Sequence, residues 1–151
     1  MKTVIVCYSA HHGNTRKLAE AIAQGRDVDL IDAAVTKSAD LSGYDLIGFA
    51  SGIYFGKFHE SVLESARTCL PEGRKVFFLS TYGGSNGTKA IEEIVKAKGA
   101  QIVGRFGCRG YDTFGPFKLV GGIAKGHPDE TDLENACQFL DGLLNAAQKE
   151  N

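Results

Sequence analysis

An excess of charge of one sign, membrane-length apolar runs and paired cysteines are all missing from this chain, and each gap removes a class of function. The 17 lysines and arginines stand against 18 aspartates and glutamates, a formal net charge of -1. With no long basic run and no interleaving of basic and aromatic residues, no nucleic-acid surface is expected. No segment approaches the roughly 20 consecutive apolar residues of a membrane span. The first residues read as a strand and not as a cleavable leader, so a cytoplasmic location is expected. Cys7, Cys69, Cys108 and Cys137 form neither a Cys-x-x-Cys pair nor a metal-ligand spacing, which points to free thiols. Cys108 differs from the others because Gly107 and Gly110 open its surroundings and Arg109 favours a thiolate; it is expected to sit in a loop accessible to alkylation. The three spaced glycines of a dinucleotide fingerprint are absent, as is the Gly-Lys-Ser/Thr of a Walker loop. No acid/base pair or nucleophilic triad emerges: Asp112 and His127 read as a surface pair or helix cap, and the four histidines form no metal-ligand pattern.

What is present is the make-up of one globular domain over 1–151, with 43% apolar and 23% charged residues. Its 19 glycines and three prolines suit glycine-rich turns between regular elements. Short, nearly continuous apolar runs predict strands at Thr3–Tyr8, Val28–Ile31, Leu46–Ala50, Val76–Leu79 and Gln101–Phe106, each covered on both faces. Helical stripes separate most of them. Leu18, Ala19, Ile22 and Ala23 mark a first helix, Leu63 and Ala66 a second, and Ala90, Ile91, Ile94, Val95 and Ala97 a third. A last helix carries Leu133, Ala136, Cys137, Leu140 and Leu144, with Pro128 expected at its first position and Asp129, Glu130 and Asp132 at its positive end. The stretch from Asp32 to Tyr44 is too short for a full helical crossover. The alternation is that of right-handed crossovers around a parallel sheet.

The most informative stretch joins the first strand to the first helix: Tyr8-Ser9-Ala10-His11-His12-Gly13-Asn14-Thr15. Such a junction gathers hydroxyls, imidazoles and free backbone N–H groups at the positive end of a helix dipole, which suits a phosphate. Ser9, His11, His12, Gly13, Asn14 and Thr15 are the candidate contacts. This hydroxyl-rich turn resembles the phosphate loop of the flavodoxin family. The resemblance implies an α/β, flavodoxin-like three-layer sandwich with a five-stranded parallel sheet in the order 2-1-3-4-5. It also implies a ligand crevice beyond the carboxyl ends of the strands at the topological switch point.

Two further loops fit that crevice. After the third strand, Ser51-Gly52-Ile53-Tyr54-Phe55-Gly56-Lys57-Phe58-His59 brackets aromatic and aliphatic residues with glycines, so it can bend while presenting an apolar wall to a flavin ring. After the fourth, Thr81, Tyr82, Gly83, Gly84 and Asn86 permit close backbone approach and offer another ring surface, with Ser85 or Asn86 capping the next helix. The 51–59 loop also resembles that of flavodoxin-like protoporphyrinogen oxidases, and the stretch Phe106–Phe117, continued by Lys118–His127, is unlike a minimal electron carrier; in an oxidoreductase its Tyr111–Phe117 segment is a candidate cover for the cleft.

The family resemblance implies FMN as cofactor and passage through one-electron flavin redox states, with soluble redox proteins or a small redox substrate as partners. It also implies a backbone partner for flavin N5 in Gly52–Tyr54, where Gly52 can reorient. The near-balanced charge and the two histidines in the phosphate loop depart from the acidic, hydroxyl-rich pattern of typical carriers. An electron-transfer protein is the favoured reading; a small oxidoreductase acting on a quinone or aromatic substrate, and an FMN-binding redox regulatory module, are the alternatives.

Overall fold

Val4, Ile5 and Val6 are all fully buried although they point alternately to opposite faces of strand β1 (Thr3–Tyr8), so this strand has no water-facing side. Its neighbours are β2 (Val28–Asp32) and β3 (Leu46–Tyr54), and the ladder continues through β5 (Lys75–Tyr82) to β6 (Gln101–Arg109). These five strands are mutually parallel in the order β2-β1-β3-β5-β6, the expected 2-1-3-4-5 arrangement of the long strands. A sixth, β4 (Lys57–Phe58), lies off this path and pairs antiparallel with the end of β3; its two residues are too few for an apolar run to announce. The computed structural model describes residues 1–9, 13–84, 87–110 and 126–149.

Parallel pairing demands a crossover after each strand, and these place α1 (Asn14–Ala23) and α4 (Glu130–Lys149) on one face and α2 (Glu60–Cys69) and α3 (Lys89–Ala97) on the other. On the first face Ile5, Phe77 and Leu79 pack against Leu18, Ile22, Ala136 and Leu140. On the second, Val4, Val6, Phe49 and Phe78 meet Val62, Leu63, Ile91 and Val95. One glycine is required by this packing: a Cβ on Gly48 would lie 2.3 Å from the Phe77 ring on the adjacent strand, so the ring takes the space a side chain would fill. The connection between β2 and β3 is the turn-rich crossing expected from its length. Asp32 Oδ1 accepts from Ala34 N at 2.9 Å, and the Asp32 carbonyl accepts from Thr36 N at 2.9 Å.

Three expectations are corrected. β3, β5 and β6 each run past the predicted ends, because Ser51, Ser80, Thr81 and Cys108 continue the ladder in register; hydroxyls that read as loop are buried strand, and Gly52 and Gly107 are half-buried strand beside them. Cys108 is therefore not in an open loop. It is 7% exposed against the first face of the sheet, and burial pushes its thiol up to about 12, with Asp132 and Asp129 adding to the rise. Pro128 does not open the last helix, which begins at Glu130. Asp129 caps it instead: Asp132 N donates to Asp129 Oδ1 at 2.9 Å while Asp129 N donates to Asp132 Oδ2 at 2.8 Å, a reciprocal box that leaves Pro128 one residue outside. His127 Nδ1 joins Asp132 Oδ2 at 2.8 Å, and Asp112 lies outside the described residues.

Two charged ties fix the helices to their surroundings. Arg26, just past α1, grips Asp141 of α4 through two bonds of 2.8 Å. Glu92 of α3 accepts from Arg105 of β6 at 2.6 and 3.0 Å and from Thr88 Oγ1 at 2.5 Å, and the Arg105 guanidinium foremost holds its carboxyl down at about 2. A carboxyl depressed in the folded state stabilises fully above its ordinary value of 4.5 and loses that contribution as the pH falls towards 2. Glu92→Gln is expected to cost about 1 kcal/mol at neutral pH, modest because Arg105 is partly screened by solvent. Urea unfolding of both proteins across that acid range should show the gap closing as the pH drops. For Cys108, alkylation in the native state should be slow and should accelerate in denaturant, followed by mass spectrometry against Cys108→Ser.

Candidate functional site

The loops after β1, β3 and β5 all leave the same edge of the sheet, because parallel strands carry their carboxyl ends together. Helix α1 begins there at Asn14, preceded by Gly13 in the left-handed region at φ 66. Among the described residues no side chain caps this terminus and no acidic residue sits in its first turn. By contrast α2, α3 and α4 each carry an acidic residue in the first turn. The amides of α1 thus face the edge without a neutralising charge of their own, which is the electrostatic setting for an anion.

Thr15 and Thr81 meet across this edge. Their hydroxyls lie 2.7 Å apart, both buried, joining the first turn of α1 to the end of β5. In a hydroxyl pair one proton is used within the pair and the other stays available to a further acceptor. Asn14 packs beside them against Gly110, where a Cβ would come within 2.8 Å of its Nδ2. Ser9 is half-buried at the end of β1. His11, His12, Ser85 and Asn86 lie outside the described residues.

The Ser51–Gly56 candidates divide by the jobs they do. Ser51 is fully buried, donates to the Gly52 carbonyl at 2.6 Å and accepts from His59 N at 2.9 Å, so it closes its own loop. Gly52 pairs with Thr81 in the ladder, which ties down the peptide expected to reorient. Ile53 and Tyr54 pair with Phe58 and Lys57, leaving Phe55 and Gly56 as a two-residue turn with φ of 52 and 80. Positive φ at both central residues suits a hairpin's twist but is sterically costly for phenylalanine, so backbone strain sits at Phe55. Phe55 is 87% exposed at the tip and is not an enclosed wall.

An aromatic cluster of Tyr8, Tyr54 and His59 forms beside them, and only Tyr54 was singled out as a stacking candidate from the sequence. The Tyr8 and His59 rings stack with centroids 3.6 Å apart, and Tyr54 meets both edge-on at 5.9 and 5.3 Å. The missed signals are positional: Tyr8 is the last residue of β1, and His59 immediately precedes α2 and accepts from Ser61 N through Nδ1. Burial pulls the His59 imidazole below its usual range, so it is neutral at pH 7.

In the third loop the Arg109 guanidinium lies over Tyr82 at 5.9 Å and donates to the Gly84 carbonyl at 3.0 Å. Gly110 N donates to the Tyr82 carbonyl at 2.9 Å, and Gly83 is buried. Arg109, expected from the sequence to favour a thiolate at Cys108, therefore braces this loop. The second and third loops touch backbone to backbone: a Cβ on Gly87 would fall 2.1 Å from the Gly56 carbonyl oxygen.

A parallel sheet in this order, with a hydroxyl-rich junction at an uncapped helix terminus and two aromatic loops beside it, defines the class of flavodoxin-like, flavin-binding domains. The flavodoxin-domain family model matches residues 5–113, a span that holds all three loops, and the chain belongs to the flavodoxin family. An uncharacterized protein of Methanocaldococcus jannaschii is 40% identical over 148 residues, 95% of this chain and 99% of that protein. A short-chain flavodoxin associated with a non-canonical PDU bacterial microcompartment superimposes with a TM-score of 0.69 at 17% identity, covering 97% of this chain and 99% of that one. Oxidised Flavodoxin 2 from Bacillus cereus gives 0.66 at 21% identity, with 92% and 94% covered. No helix among the described residues is long and apolar enough to cross a membrane.

Thr15→Val removes one hydroxyl and leaves the other buried without its partner, at an expected cost of about 1–3 kcal/mol in unfolding free energy. Thr15→Val with Thr81→Val should recover most of that loss, because two matched apolar groups leave nothing unsatisfied. Denaturant titrations of the single and double variants check both statements.

Proposed function

We propose that this protein binds FMN and serves as an electron-transfer protein. The observation that carries this reading is the N-terminus of α1, uncapped among the described residues and free of acidic residues in its first turn, with the Thr15–Thr81 pair beside it. Among the described residues there is one such phosphate setting, and the sequence carries no second nucleotide fingerprint, which favours a mononucleotide over FAD or NAD. Ser9, Gly13, Asn14 and Thr15, together with His11 and His12, would hold the phosphate. Residues Gly52–Gly56, Thr81–Gly84 and Asn86 would line the flavin ring.

The residues fit such a group in kind: hydroxyls and helix amides suit the phosphate, and the tyrosines of the same strand ends suit the ring. When bound, the flavin supplies the electron transfer. The protein's part is to fix the ring, exclude water and set the hydrogen bonds around it. Neutral His59 keeps the Tyr8–Tyr54 side uncharged. With Gly52 held in the ladder, the strained Phe55–Gly56 turn is the backbone better placed to respond to a change in flavin charge. A net charge of -1 gives little long-range steering, so partner choice rests on contacts at the rim.

Equilibrium titration of FMN-free protein is expected to show FMN binding at least about tenfold tighter than riboflavin, a difference of about 1.4 kcal/mol. Equal affinities would remove the phosphate from the site. Leucine at Tyr54, Phe55 or Tyr82 should shift flavin absorption or midpoint potential in at least one case with the fold retained. Under anaerobic conditions, rapid transfer to protein carriers supports the electron-transfer role, and specific turnover of a small molecule overturns it in favour of an oxidoreductase.

A further inference from the structure

The formal charge of the whole chain is close to zero, but its distribution around the second and third loops is one-sided. Three exposed cations stand there, each placed by backbone geometry. Lys57 pairs with Tyr54 in the β3–β4 hairpin, directly after the Phe55–Gly56 turn. Lys89 opens α3 two residues beyond Gly87, whose backbone abuts the Gly56 carbonyl, so it flanks the same turn. Arg109 lies over Tyr82 and donates to the Gly84 carbonyl in the third loop.

The folded chain does not use this charge for itself. Among the described residues neither Lys57 nor Lys89 enters an ion pair. The acids at the starts of α2 and α3 are already engaged: Glu60 accepts from Arg67 at 2.7 Å, and the two oxygens of Glu92 accept from Arg105 at 2.6 and 3.0 Å. Lys89 also sits in the first turn of its helix, where the dipole opposes a cation and adds to its field. On the other face of the sheet, Asp129 and Asp132 at the start of α4 are held by each other's amides and by His127. The stretch 111–125 carries Lys118 and Lys125 against Asp112, so it adds no net negative charge. A second observation coincides with these cations. Phe55, between Tyr54 and the Gly56 contact, is 87% exposed on a positive-φ backbone that disfavours a phenylalanine. An exposed ring among cations has the make-up of an interface anchor and not of a core residue.

We propose that this rim docks an acidic redox protein, with Phe55 entering an apolar hollow on the partner and Lys57, Lys89 and Arg109 facing carboxylates around it. The inference rests on the electron-transfer reading and specifies the charge of the partner. A protruding ring among exposed cations suits a broad complementary surface better than a small anion, which needs an enclosing pocket. The near-zero total charge thus conceals a local field that selects by sign at the rim.

The test titrates the full chain, with and without added FMN, with two oxidised probes of opposite charge: an acidic [2Fe–2S] ferredoxin and a basic c-type cytochrome. Calorimetry and amide chemical shifts follow binding at low and at physiological salt. The ferredoxin is expected to bind saturably, with shifts around Tyr54–Phe58, Tyr82–Gly84, Lys89 and Arg109, and to weaken about tenfold on going to the higher salt. Lys57→Glu and Lys89→Glu should each weaken it about fivefold, and Phe55→Ala about tenfold. Lys75→Glu, at the start of β5 and so at the opposite edge of the sheet, should leave it unchanged. Absence of saturable ferredoxin binding overturns the proposal, as do equal or tighter binding of the cytochrome, shifts away from these loops, or unchanged affinity in either lysine variant. The shift map and the salt dependence need only the natural chain, so a variant that fails to fold does not blunt the result. Association is read without flavin as well as with it, so failure to bind FMN and failure to dock are told apart.

Discussion

Parallel pairing is the constraint from which the rest of this structure follows. Strands that run the same way cannot be joined by tight turns, so each needs a covered crossover, and helices come to lie on both faces. Burial on both faces then demands apolar side chains pointing in both directions, as Val4, Ile5 and Val6 show. The same geometry brings the ends of β1, β3 and β5 to a single edge, where loops distant in sequence become neighbours. Thr15 and Thr81 are 66 positions apart and share a hydrogen bond for this reason.

That edge concentrates polar groups that a sheet interior would not tolerate. Ser51, Ser80 and Thr81 are buried near the end of the ladder; the Ser51 hydroxyl donates to the Gly52 carbonyl and accepts from His59 N, and that of Thr81 pairs with Thr15. The uncapped terminus of α1 adds oriented N–H groups without a formal cation. Such a site attracts an anion through fixed dipoles, whose orientation is maintained by the packing of α1 against the sheet and α4 and not by flexible side chains.

Much of this was legible in the sequence, for identifiable reasons. Strand β1 was read at its observed limits because Val4-Ile5-Val6 is apolar without interruption. The order of the long strands followed from their alternation with helical stripes and from the resemblance of the Tyr8–Thr15 turn to a known phosphate loop. What escaped was structure encoded by residues with two meanings. Serine, threonine and glycine at 51–52, 80–81 and 107 read as loop, yet they continue the ladder because neighbouring strands supply partners that composition cannot show. Cys108 was misjudged for the same reason, its flanking glycines suggesting openness where β5 and α4 close over it. The stacking of Tyr8 on His59 joins residues 51 positions apart and has no local periodicity to reveal it. The two-residue β4 was invisible because it exists only as the return arm of a turn.

The backbone contact between Gly56 and Gly87 sets a constraint where two loops meet. The constraint runs one way. The Gly56 carbonyl occupies the space that a methyl group at position 87 would need, whereas a methyl group on Gly56 itself would meet nothing and is limited only by that residue's positive φ. Sequence variation should therefore spare position 87 for reasons of space and position 56 for reasons of backbone conformation, two separate filters on neighbouring loops.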